Sequence, residues 1–223
     1  MTDPMKGTPL AAFDVPDGMF GLGAGEVAYL LGRHEGPASQ RSRALLMLDP
    51  RQADQGALLA GASSLVSRGW LTIGDDGGGE TRSNAALVEY ALGATTRWTR
   101  IGLVGDDVSD LDYAVLLESE SVLALLQPRQ LASWFWRLGD PELDRGDFVT
   151  TLVTDRLENR PKGGVFLEVQ TLHASTNLAV RRSGSGFEAL RDVAGQGTGT
   201  GGVLNEEGLL KAVAGLYPEV ALA

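Results

Sequence analysis

The sequence predicts an α+β fold, with a mixed, largely antiparallel sheet built from two related halves and helices flanking it. Three observations predict it. Short β-rich runs crowd together between residues 98 and 127 and again between 165 and 182, leaving no room for the crossovers that parallel strands require. A segment of helical period follows each group, so an order of strands then helix occurs twice, from Trp98 to Leu138 and from Gly164 to Leu216. The 223 residues are 43% hydrophobic, which is enough to bury a large core. Residue identities do not repeat between the copies, so the relation is one of element order.

Residues 1–20 carry Pro, Gly and Met without a sustained period and read as an irregular arm. GEVAYLL, from Gly25 to Leu31, reads as a short helix with Val27, Leu30 and Leu31 on one face. RSRALLML at 41–48 fits a strand or a helical turn equally well. A helix is predicted from Pro50 or Arg51 to Arg68, with Asp49 as N-cap, Pro50 at the first position and Gly69 as the stop. Its stripe of Leu58, Leu59, Ala62, Leu65 and Val66 is expected to face a core. Residues 70–73, the turn GDDGGGE at 74–80 and a return near Thr81 and Arg82 suggest a hairpin. A helix from Asn84 to Leu92 follows, with Leu87 and Ala91 in phase with Leu92.

Trp98–Val104, Tyr113–Glu118 and Ser121–Gln127 read as a meander, the last two joined by a tight turn at Ser119 and Glu120. Pro128 then opens a predicted helix in which Leu131, Trp134, Phe135 and Leu138 follow i, i+3, i+4 and i+7. Trp134, Phe135 and Trp136 are more aromatic surface than one helix face can bury. Either another layer covers them, or Trp134 and Trp136 form part of a partner-binding surface. Phe148–Leu157 fits either element type, and Val165–Leu172 and Asn177–Arg182 read as strands. FEALRDVA at 187–194 reads as helix or loop, the glycine-rich 195–202 as a flexible connector, and Asn205 as the cap of a closing helix. The domain reading is an N-terminal helical, winged-helix-like part over 1–97 and two strand-plus-helix units sharing a sheet over 98–223, together one compact domain.

Composition and motifs exclude more chemistry than they suggest. With 29 acidic against 19 basic residues, the net charge of −10 repels phosphate backbones over much of the surface. The absence of cysteine removes disulfides, thiolate nucleophiles and thiolate metal sites. Pro and Asp interrupt the N-terminus where a signal peptide needs an apolar run, and no stretch is long enough to span a bilayer, so a cytoplasmic protein without membrane association is expected. Gly197, Gly199 and Gly202 fit G-x-G-x-x-G in letter, but no strand is expected before them and no βαβ unit has room to follow. Asp106, Asp107, Asp110 and Asp112 lack the glycine hinge and distal glutamate of a calcium loop. His34 and His173 stand in no metal-ligand spacing, and no nucleophile elbow is visible. No catalytic residue, metal ligand or cofactor is therefore assigned, and the balance lies against an enzyme.

The 51–68 helix followed by WLTIGDDGGGETR has the local look of a recognition helix and wing, with Arg41, Arg43, Arg51 and Arg68 as candidate phosphate contacts. The acidic wing, the apolar helix and the net charge oppose DNA binding, and a winged-helix regulator with an α+β sensor part stands as the alternative function. A different resemblance is broader. LLG at 30–32, ALLAGASSLVSRGWL at 57–71, the helix after it, RWTRIGLV at 97–104, the meander and PRQLASWF at 128–135 together resemble the EspG family of cytosolic chaperones of mycobacterial type VII secretion. The resemblance implies a sheet of two related halves and a non-enzymatic protein that binds a helical secretion substrate through a sheet face and a helical subdomain.

Overall fold

The computed structural model describes residues 17–105, 111–129, 133–193, 196–199 and 202–217. The N-terminal elements are β1 (Phe20–Gly23), α1 (Ala24–Gly32), α2 (Pro37–Leu45), a 3-10 turn at Pro50–Ala53, α3 (Gln55–Ser67), the hairpin strands β2 (Leu71–Ile73) and β3 (Gly79–Thr81), and α4 (Ser83–Ala94). Four strands follow: β4 (Arg97–Val104), β5 (Leu111–Glu118), β6 (Leu123–Arg129) and β7 (Ser133–Gly139). Helix α5 (Arg145–Asn159) separates them from β8 (Gly164–Gln170), β9 (Ser175–Ser183), β10 (Gly186–Val193) and β11 (Gln196–Gly199), and α6 (Glu206–Ala214) closes the series.

Nine strands form one sheet in the order β1-β7-β6-β5-β4-β8-β9-β10-β11, antiparallel throughout. The fold class is thus α+β, as predicted, and the pairing is wholly antiparallel among the described residues. Two four-stranded meanders, β4–β7 and β8–β11, meet at the central pair β4–β8, whose register runs from Trp98 opposite Gln170 to Val104 opposite Gly164. One helix follows each meander. The repeat foreseen in element order is therefore four strands and a helix, twice.

That count corrects two expectations. The helix predicted from Pro128 to Leu138 is strand: Pro128 lies in β6 opposite Trp134, and Trp134 to Leu138 belong to β7. Leu131 lies outside the described residues. A strand buried on both faces accepts three aromatics in succession, whereas a helix would have to expose one of them. Trp134 and Trp136 face one side of the sheet and Phe135 the other, and all three are buried. The segment 187–194 is likewise strand to Val193: β10 pairs with β9 from Gly186 opposite Ser183 to Asp192 opposite Asn177. Part of the glycine-rich connector is strand too, because β11 returns along β10.

Elsewhere the differences are smaller. Residues 41–45 belong to α2, Phe148–Leu157 lies within α5, and Asn205 caps α6 by accepting from the Gly208 amide at 2.9 Å. Helix α3 starts later than predicted, because Asp54 rather than Asp49 is its N-cap, accepting from the Ala57 amide at 2.7 Å. Gly69 ends it in the left-handed region, with φ of +68°. The expected core stripe of α3 is the largest surprise in this part. Leu65 is buried, but Leu59 is 64% exposed and Val66 43%. The cause is the contact with α1, where a Cβ on Gly61 would run into the Gly25 carbonyl and one on Gly25 would lie 2.6 Å from the Ala57 carbonyl. Helix α3 turns its small-residue face to α1, which rotates the leucine–valine face outward. In α4 the inward residues are Ala85, Val88, Ala91 and Leu92, and Leu87 is 43% exposed.

Two cores result, one on each side of the sheet. Helices α1–α4 cover one face of the first meander and bury Trp98, Val115, Leu117, Leu126, Trp134 and Trp136. Helices α5 and α6 cover the opposite face and bury Ile101, Leu116, Leu167, Leu178, Val180 and Phe187. The closeness of α1 and α3 yields a test with a built-in sign reversal. Gly61→Ala should destabilise by about 3 kcal/mol through overpacking. Gly56→Ala, whose added Cβ meets only the Asp54 carboxylate at 3.4 Å, should stabilise by up to about 1 kcal/mol. Urea unfolding of the two variants beside the parent measures both.

Candidate functional site

The two meanders are covered unequally. Along β4 the even-numbered side chains, beginning with Trp98, share the face on which α1–α4 lie, and the register carries this face onto the second meander. There Gly102 is opposite Phe166, Phe166 opposite Ala179, and Ala179 opposite Leu190. These residues make a transverse apolar row. No helix covers that row among the described residues: Phe166 and Ala179 are half-buried and Leu190 is 50% exposed. Over it lies a groove of about 720 Å³ lined by Val104, Phe166, Ala179, Leu190 and Val203, with Lys162 and Arg181 at its margin.

Charged rows flank the apolar one and neutralise themselves. On one side Arg100 pairs with Glu168 at 2.5 Å, and Gln170 donates to the same carboxylate at 2.6 Å. On the other, Arg181 pairs with Glu188 at 2.5 Å while the Ser183 hydroxyl donates to Glu188 at 2.7 Å. The Ser183 hydroxyl, with Arg181, holds the Glu188 carboxyl below the usual carboxylate range. Arg41 of α2 donates to Gln170 at 3.1 Å, so the helical layer of the first meander ends beside the uncovered face. The arrangement suits recognition of an apolar surface bordered by polar groups.

Most residues singled out from the sequence lie elsewhere. Trp134 is 5% exposed and Trp136 fully buried, both beneath the N-terminal helices, so neither presents a surface to a partner in this conformation. Of the four aspartates in the acidic loop, Asp106, Asp107 and Asp110 lie outside the described residues, and Asp112 sits in β5. His34 packs against Gly93 and lies 3.4 Å from Glu89 of α4, while His173 is exposed in the β8–β9 turn. Gly197 and Gly199 are in β11, an edge strand, which is not the setting of a phosphate-binding turn. Helix order α1-α2-α3 followed by the β2–β3 hairpin does match a winged helix in sequence of elements. The chemistry does not follow: α3 carries no charged residue, Arg51 is paired with Asp49 and Arg68 with Glu26, and Asp75 and Asp76 occupy the hairpin turn.

The residues that make the groove are missed in the sequence, because β8 and β9 read as ordinary strands and 187–194 as helix or loop. The signal was present at the outward positions. A strand with one solvated face should place polar residues there, and Phe166 and Leu190 break that alternation.

A buried polar cluster lies where β4, β5 and α5 meet the end of α6. Glu118 is 5% exposed and accepts from Arg97 at 3.3 Å and Arg145 at 3.1 Å, and the Tyr217 hydroxyl is 3.1 Å from that of Thr99. Burial pushes the Glu118 carboxyl above its ordinary range despite both arginines, and pushes the Tyr217 phenol up as well. The groups fasten strands to helices. A pKa raised on folding adds stability that is full below the unfolded value of 4.5 and is lost as pH rises through the folded one. The stability of the parent relative to Glu118→Gln should therefore fall as pH rises above about 4.5, as urea unfolding at stepped pH will measure.

Compared with known proteins, the chain matches no family model, and no curated protein matches it in sequence. Its fold is similar to a solved one, described as the Mycobacterium tuberculosis type VII secretion system chaperone EspG5 in complex with a PE25-PPE41 dimer. The TM-score is 0.56 at 11% identity, covering 89% of this chain and 95% of that one. The likeness is one of fold. No helix among the described residues is long and apolar enough to cross a membrane.

Proposed function

We propose that this chain is a non-enzymatic protein-binding protein, a cytosolic chaperone that holds a helical substrate of type VII secretion. The observation that carries the reading is the uncovered sheet face, an apolar row bounded by self-neutralised charges. The likeness to EspG5, which was solved with a PE25-PPE41 dimer, supports it. A chaperone of this kind needs a surface that shields apolar parts of its client and needs no reacting groups. The winged-helix alternative loses ground, since an uncharged α3 beside an acidic turn offers little to a phosphate backbone.

Co-expression with the small helical-hairpin proteins of the native host tests the reading. One of them should co-elute with the chain at fixed stoichiometry and remain soluble only in its presence. Failure of every such protein to co-elute, together with binding to duplex DNA that weakens steeply with salt, would move the assignment to the regulator.

A further inference from the structure

Resting on the chaperone reading, we propose that the groove on the second meander is a helix-docking site, and that its occupant is a partner helix shaped like the chain's own α4. The chain itself shows how this sheet face is covered. On the first meander, α4 lays Ala85, Val88, Ala91 and Leu92 over the side that carries Trp98 and Leu117. These four stand at i, i+3, i+6 and i+7, a narrow ridge of small and medium apolar side chains. On the second meander the same side carries Phe166, Ala179 and Leu190, and its neighbouring helix α5 has gone to the opposite face.

Shape and charge limit the occupant further. Gly164 and Ala179 keep the floor of the groove low, so a helix backbone can come close. Phe166 and Leu190 rise beside them as ridges into which a small-residue stripe fits. Along the two flanking rows the charges are already matched, Arg100 with Glu168 and Arg181 with Glu188, and Lys162 stands exposed at the margin, so a charged ridge lying over the apolar row would be desolvated without a counter-ion. An uncharged ridge is complementary. The partner is thus an amphipathic helix that presents alanine-, valine- and leucine-sized side chains inward and its charges outward.

A helix-stapled peptide with the sequence of residues 83–94 is the probe, titrated into the ¹⁵N-labelled full chain. Amide shifts should concentrate on β8, β9 and β10 around Phe166, Ala179 and Leu190. The Leu190→Glu chain should bind it on the order of ten-fold more weakly, and the peptide with Val88→Asp and Leu92→Asp should give no shifts. Leu190 is half exposed, so this variant is expected to fold, and its spectrum away from the groove reports whether it does. Absence of shifts up to the solubility limit would overturn the site, as would shifts elsewhere or shifts indifferent to Leu190→Glu. A co-eluting helical client that still binds the Leu190→Glu chain would also overturn it while leaving the chaperone reading intact. Peptide shifts at the groove in a chain that retains no client would separate the two the other way.

Discussion

The pairing of β4 with β8 is the constraint on which the rest depends. Each meander alone would be a four-stranded sheet with an open edge at its first strand. The ladder from Trp98–Gln170 to Val104–Gly164 closes those two edges against each other and makes one sheet of nine strands. Because the pair is antiparallel, the two meanders are related by an approximate two-fold axis normal to the sheet. Equivalent side chains of the halves then point to the same side, so one helical pair, α5 and α6, can cover both meanders from one face.

The opposite face breaks the relation. Ahead of β4 the chain spends about seventy residues on α1–α4 and the small hairpin, and this layer covers the first meander. Its own cohesion is local. Glu26 accepts from the Gly23 amide at 2.8 Å at the start of α1, from Ser64 at 2.8 Å and from Arg68 at 3.1 Å, tying the start of α1 to the C-terminal end of α3. Ahead of β8 there is only α5, on the other side. The second meander therefore keeps an apolar row in reach of solvent, a difference between two otherwise similar units.

How much of this was legible depends on which force decided each element. Strands β4, β5 and β9 and the caps at Gly69 and Asn205 could be read directly, because local pattern and burial agree there. Residues 134–136 could not: their spacing fits a helix, and only the pairing of β7 between β6 and β1, with the N-terminal helices over Trp134 and Trp136, makes a strand the better burial. Segment 187–194 failed for a different reason: Phe187 and Ala189 are buried by α6, which lies later in the chain, while Leu190 next to them stays half exposed. The outward turn of Leu59 and Val66 was hidden by the fit of Gly25 to Gly61, two glycines that look unremarkable until they touch. The groove needed the register itself, because Phe166, Ala179 and Leu190 come from three strands and align only when paired.

The distribution of indoles sets what light can report about this molecule. All four tryptophans, Trp70, Trp98, Trp134 and Trp136, belong to the core beneath the N-terminal helices, and none lies in the second meander or on α5 and α6. Intrinsic fluorescence is therefore a one-sided gauge. It follows the packing of the first half, and is nearly blind to loosening of β8–β11 or to anything that settles on the exposed row there. Set beside circular dichroism, which counts both halves, it becomes a means of asking whether the two meanders come apart together or in turn.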